Sequence, residues 1–196
     1  NLAVDGLVGR NTINALNNFK KKVNNSYYKR GSTHVVEVDP KDLKISVEDK
    51  PGNKIRLNNF VTSGYQWHHK NGATYPLGIL ASENKGLSNR QPHDKPAGTL
   101  IVYRDGTVKI KDILNLNNES MVRFAVSGCS ILPEVKMASA GFVGSYSDIA
   151  RKANRPMIGY RKKDNKIIIA VDNCTIKEGK NIMRNLGCNE AITLDA

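Results

Sequence analysis

Apolar positions along the chain recur in two periods, and the shorter one dominates. Val36, Val38, Leu43, Ile45 and Val47 alternate with polar residues across an Asp39-Pro40 turn, which predicts a half-buried hairpin. Residues 99–103 and 107–110 flank Arg104-Asp105-Gly106, and an Asp-Gly pair between alternating runs predicts a second hairpin. Residues 157–161 and 166–171, around Lys163-Asp164-Asn165, predict a third.

The helical period appears twice. Ile13, Leu16, Phe19 and Val23 follow a glycine-rich turn and a polar cap at Asn11, which predicts one amphipathic helix within residues 5–23. Residues 24–32 are polar and basic, contain Gly31 and read as a linker. Near the C-terminus, Thr175-Ile176-Lys177-Glu178 has the form of a capping box. Ile176, Ile182, Met183 and Leu186 continue it on a helical period, with Gly187 at the stop. An apolar run at 167–171 precedes this helix and strand character returns at 191–195, so strand, helix and strand form a βαβ unit with a right-handed crossover and its strands parallel. The fold class expected is α+β: a mixed, largely antiparallel sheet with a C-terminal βαβ unit and few helices.

Composition narrows the function. Thirty Lys+Arg against eighteen Asp+Glu give a net charge of +12, so an anionic partner is expected: a wall polymer, a phosphorylated substrate, a lipid surface or nucleic acid. Nucleic acid is disfavoured, because the basic residues are scattered and the aromatics too few for a stacking platform. No apolar run has the roughly 18 residues of a membrane span. Cys129, Cys174 and Cys188 have neither zinc spacing nor an even count, and Cys174 and Cys188 flank a helix of about 11 residues, roughly 16 Å long, too far apart to bridge.

Two resemblances add to this. Asp5, Gly6, Gly9, Thr12, Ala15 and Leu16 resemble the closing segment of a three-helix peptidoglycan-binding domain. The segment ARKANRPMIGYRKKDNKIIIAVDN resembles the strand, charged turn, apolar strand and "VDG" of the phosphodiester glycosidase family, and NIMRNLGCNEAITLDA resembles that family's last helix and "A-L-N-L-D-G-G-G-S" strand. RLNNFVTSGYQW stands at its "N-G-G-F-F" motif and AVSGCSILPEV at its "S-G-G-P" loop. The implied organisation is residues 1–24 as the end of the wall-binding module, 25–32 as linker, and 33–196 as a glycosidase-like domain truncated at its C-terminal glycine-rich loop. The two resemblances together imply hydrolysis of a sugar phosphodiester at a bacterial envelope, peptidoglycan as a partner, and an extracellular or wall location. The alternative is a non-catalytic binder of anionic wall glycan.

The candidate site follows from both lines. Asp172 and Asp195 each end an apolar run, and on neighbouring parallel strands they would face one crevice at the carboxyl edge; equally, each would cap its strand. The resemblance makes Asn58 the motif asparagine, Ser127 and Gly128 the mid-chain loop, and Arg155 the strand-leading arginine. In that scheme Asp195 is nucleophile or base, Arg155 clamps the phosphate, Asn58 orients a sugar hydroxyl or the carboxylate, and Asp172 is a supporting carboxylate or metal ligand. Trp67 offers a face for stacking on sugar and His68 a proton carrier, with His69 and His93 read as surface residues. A divalent metal is compatible with these side chains, and no spacing specifies one. Residues 141–145 read as a flexible lid.

Overall fold

The computed structural model describes residues 26–43, 45–47, 54–57, 60–63, 66–68, 74–76, 78–83, 85–91, 94–136 and 151–194. The predicted helix at 5–23, with the wall-binding resemblance, and the lid at 141–145 lie outside them.

Among the described residues a ten-stranded sheet forms the body. Its strands are β1 (Ser26–Arg30), β2 (Thr33–Val38), β8 (Leu80–Ser82), β9 (Lys85–Ser88), β10 (Ala97–Tyr103), β11 (Val108–Ile113), β12 (Val122–Leu132), β13 (Ala153–Arg161), β14 (Lys166–Cys174) and β15 (Glu190–Thr193). The order across the sheet is β1-β2-β14-β13-β15-β12-β10-β11, and β8 joins β12 and carries β9. Smaller antiparallel sheets are made by β3 (Ile45–Val47), β4 (Lys54–Leu57) and β5 (Phe60–Ser63), and by β6 (Gln66–His68) and β7 (Thr74–Pro76). Every strand pair among the described residues is antiparallel.

The sheet curls into a half-barrel whose alternating residues serve two cores. One face gathers Val36, Leu100, Val126, Ile158, Ile169 and Ile192, from strands far apart in the sheet, into one cluster. The other face, with Met157, Ile168, Ala170 and Cys174, is covered by helix α1 (Ile176–Asn185) through Ile176 and Met183. The capping box forms as predicted: the Thr175 hydroxyl accepts from the Glu178 N–H at 3.2 Å, and the Glu178 carboxylate accepts from the Thr175 N–H at 2.7 Å. Helix and strand approach closely because Gly179 lacks a Cβ, which would lie 2.8 Å from Met157 Sδ.

The Asp-Gly hairpin pairs β10 with β11, with Gly106 at φ +86° and Asp105 Oδ1 accepting from the Thr107 N–H at 2.8 Å. The third hairpin pairs β13 with β14 through a 3₁₀ turn, Lys162–Asp164, and Asn165 at φ 53°. Two expectations are corrected. β2 does not pair with β3; its partners are β14 and β1, and β1 comes from the stretch read as a linker. Gly31 at φ 61° lets the chain reverse in two residues, and Tyr27 and Tyr28 anchor β1 by packing against one core each. The βαβ unit is also looser than expected. β14 and β15 run the same way, but β13 lies between them, antiparallel to both.

All three cysteines are free and buried. Burial pushes the thiols of Cys129 and Cys188 up to about 12 and that of Cys174 up to about 11, from an ordinary 9.0. The native protein at pH 8 is therefore expected to resist a thiol reagent such as dithionitrobenzoate until it unfolds. The unfolded chain loses these protons first, so stability falls as pH rises above about 9, measurable by urea denaturation across pH 8–11. At Gly128 a Cβ would stand 2.4 Å from the Thr193 carbonyl oxygen, and backbone cannot move aside cheaply. Gly128→Ala is expected to destabilise by about 1–3 kcal/mol in the same assay.

Candidate functional site

Strands buried on both faces leave room for polar side chains chiefly at their ends. One end of the sheet gathers the C-termini of β14 and β15, the N-terminus of β13 and the start of β2. Asp172 and Arg155 are direct cross-strand partners there, on the face that carries α1. With β13 intervening, the backbones of β14 and β15 stand about 10 Å apart, twice the spacing of neighbours. The two strands are therefore not neighbours, and an arginine-bearing strand stands between them.

Asp172 is tied to the β1–β2 turn. Its Oδ2 accepts from the Thr33 hydroxyl at 2.6 Å and the Ser32 hydroxyl at 3.1 Å, and its Oδ1 from the Asn173 N–H at 2.8 Å. Three donors converging on its two oxygens fix the carboxylate in place. Arg155 is 3% exposed. Its Nε donates to the Cys174 carbonyl at 3.0 Å and its Nη2 to the Arg151 carbonyl, so two donors of the fork are spent on backbone rather than turned to solvent.

Ser127 and Gly128 sit inside β12 rather than in a loop. The Ser127 hydroxyl accepts from Gln91 Nε2 at 2.7 Å and the Ile79 N–H at 2.9 Å and lies 3.1 Å from the Thr99 hydroxyl, a buried network that fastens the strand-leading segment of β8 to the sheet. Trp67 and His68 lie on β6, paired with Tyr75 and Thr74. Asn58, Asp195, His69 and His93 lie outside the described residues. No group of three or more His, Cys, Asp or Glu is placed to hold a metal among the described residues.

Sequence reasoning missed two polar features. Asp112 occupies the position that follows Val108 and Ile110 in strict alternation, where an aliphatic residue was due; it accepts from Ser130 Oγ at 2.7 Å and Lys136 Nζ at 2.8 Å. The broken alternation was its signal. At the strand-end itself, Lys29 faces His34 across β1 and β2, and Asn154 faces Asn173 across β13 and β14, all on the face away from α1. The Tyr27 hydroxyl lies 2.8 Å from His34 Nδ1. Burial, then the Lys29 ammonium, hold the His34 imidazolium below its ordinary range, and Asp172 pulls the other way.

The architecture is thus an open, antiparallel half-barrel with a polar strand-end carrying a fixed carboxylate. A family model described as phosphodiester glycosidase matches residues 17–195, and the chain belongs to that family. The match begins upstream of residue 33, so the family domain takes in the stretch read as linker. Among solved structures, the catalytic domain of zebrafish N-acetylglucosamine-1-phosphodiester alpha-N-acetylglucosaminidase, auto-inhibited by its pro-peptide, is similar at TM-score 0.54 and 15% identity over 87% of this chain and 68% of that one. At that identity the likeness is one of fold. A hypothetical protein from Synechocystis aligns at TM-score 0.43 and 10% identity over 87% of this chain and 55% of its own. No curated protein matches.

The contacts of Arg155 make a stability prediction. Removing donors from two carbonyls and burying the gap costs about 1.5–3 kcal/mol, so Arg155→Ala is expected to lower the urea midpoint, and Arg155→Lys to recover only part of it.

Proposed function

We propose that the chain hydrolyses a sugar phosphodiester, of the N-acetylglucosamine 1-phosphodiester kind, at a bacterial envelope. The observation that carries this reading is the family match across nearly the whole chain. Water adds to the anomeric carbon, the bond from that carbon to the phosphate oxygen breaks, and a phosphomonoester leaves with the free sugar as co-product. Phosphate is a good leaving group, so the chemistry asks for a carboxylate beside the anomeric carbon and a cationic field for the departing charge more than for a strong general acid.

In this reading Asp195, which follows β15 by two residues in the sequence, is the nucleophile or the base toward water. Asp172 is the supporting carboxylate, its orientation fixed by Thr33 and Ser32. Arg155, with donors on the Cys174 and Arg151 carbonyls, shapes the strand-end and supplies charge at a distance rather than a clamp on the phosphate. Asn58, His68 and Trp67 remain candidates for sugar contacts. The wall-binding resemblance at residues 5–16 supports an extracellular or wall location with peptidoglycan nearby. A second reading, a non-catalytic binder of anionic glycan, is favoured by the same contacts of Arg155 together with the +12 charge.

The test is release of free sugar from an N-acetylglucosamine 1-phosphodiester, with and without added divalent metal. Asp195→Asn is expected to reduce turnover by at least about 100-fold with the fold intact by circular dichroism. Absence of turnover by the parent chain under all conditions, with salt-sensitive binding to wall polymer retained, would favour the binder.

A further inference from the structure

The strand-end polar groups divide between two faces, and the division is chemically uneven. Asp172 and Arg155 lie on the face with α1. On the opposite face, the register places Lys29 beside His34, His34 beside Val171, Val171 beside Pro156, and, one step outward, Asn173 beside Asn154. Their neighbours on that face further along the strands are Val36, Ile169 and Ile158, all in the core. The positions on this face at this end of β1, β2, β14 and β13 thus hold a lysine, a histidine and two asparagines, and no carboxylate.

Two details make this more than a solvated edge. Directly opposed cross-strand side chains on an antiparallel pair stand about 5 Å apart at Cβ, and placing an ammonium against an imidazole there opposes charging of the ring unless an anion joins them. The His34 ring is also held in one place: it stacks on Tyr27 with centroids 6.1 Å apart and planes at 19°, and its Nδ1 engages the Tyr27 hydroxyl. That leaves Nε2 as the ring's remaining polar atom. Asn154 and Asn173 are both exposed and offer amide donors and acceptors of the kind that hydroxyl groups take.

We propose that Lys29, His34, Asn154 and Asn173 form a binding site for a sugar phosphate: the two basic groups hold phosphate oxygens, and the two amides hold sugar hydroxyls. The site deepens the proposed function, on which the identity of its ligand as part of the substrate rests; its binding chemistry does not require turnover. The groups that face His34 are Tyr27 and Lys29 from β1 and, through its charge, Asp172 from β14, with only uncharged Asn154 and Pro156 on this face at this end of β13. A bound phosphate would favour the imidazolium, so binding strengthens as pH falls towards 6.

The experiment is an NMR titration of the histidine ring signals, His34 being assigned by its loss in His34→Gln, with N-acetylglucosamine 1-phosphate, inorganic phosphate and N-acetylglucosamine as probes. The sugar phosphate is expected to shift His34 and raise its pKa, and Lys29→Gln to weaken binding by about tenfold. Asn154→Ala with Asn173→Ala is expected to weaken the sugar phosphate while leaving inorganic phosphate unchanged. Sugar-phosphate binding that leaves His34 unshifted, or equal affinity in folded Lys29→Gln and His34→Gln, would overturn the site. Turnover of the diester with His34 unaffected would overturn this site alone; binding at His34 without turnover would support it while overturning the hydrolytic reading.

Discussion

The architecture depends on how α1 is fastened along β13. Arg155 and Arg161 sit six residues apart on the same face of that strand, about 20 Å from end to end. Arg155 donates to the Cys174 carbonyl, one residue before the helix cap, and Arg161 donates to the Leu186 carbonyl at the helix's other end. A ten-residue helix is about 15 Å long, so the two guanidinium groups bracket it. Between them the contact is made by Met157 and Gly159 against Gly179, Met183 and Cys188. The second arginine is neutralised by Glu37 and Asp164 at 2.7 Å each, which lets a charge sit 8% exposed at the edge of an apolar layer.

That bracket explains why β13, and not β15, neighbours β14. Ile167, Ile168, Ile169 and Ala170 are buried on both faces, so β14 needs a partner on each side. β2 supplies one and the hairpin partner β13 the other. A helix following β14 then crosses β13 before the chain returns, and the first open edge it meets is the far side of β13. The polar strand-end inherits this order: the carboxylate of β14 and the end of β15 are held apart by a strand whose own Arg155 donates to the carbonyls of Cys174 and Arg151.

Local chemistry was legible in the sequence; neighbour order was not. The Asp105-Gly106 turn, the Thr175–Glu178 box, the stop at Gly187 and the apolar run of β14 each act within a few residues, and each formed as read. The pairing of Val36 and Val38 with Ile169 and Ile167 spans over a hundred residues, and alternation alone cannot distinguish β14 from β3 as the partner. β1 was hidden because Lys29 and Arg30 give it the polarity of a linker, while its two tyrosines do the packing. At the site, Asp172 could be placed at a strand end from the pattern. The commitment of Arg155 to carbonyls could not, since a buried arginine and a ligand-binding one look alike in one dimension. Ser127 shows the same limit: in sequence it reads as part of a glycine loop, and in the fold its hydroxyl is a junction for Gln91, Thr99 and the Ile79 amide.

The excess of positive charge has a structural distribution that bears on function. Many of the described carboxylates have a cation within ion-pair distance: Glu37 and Asp164 on Arg161, Glu119 on Lys111, Asp112 on Lys136, Glu83 on Arg123, Glu190 on Lys162, and Asp39 on Lys166. Most of these pairs are partly solvated, so their individual contribution to stability is small. Their collective effect is to cancel negative charge locally and leave the surplus of lysine and arginine to set the outer field. Such a field extends about 8–10 Å at physiological salt and draws anions toward the surface without choosing among them. Selection has to come from short-range geometry, and the strand-end carries fixed donors and acceptors next to strands that cannot move without breaching two cores.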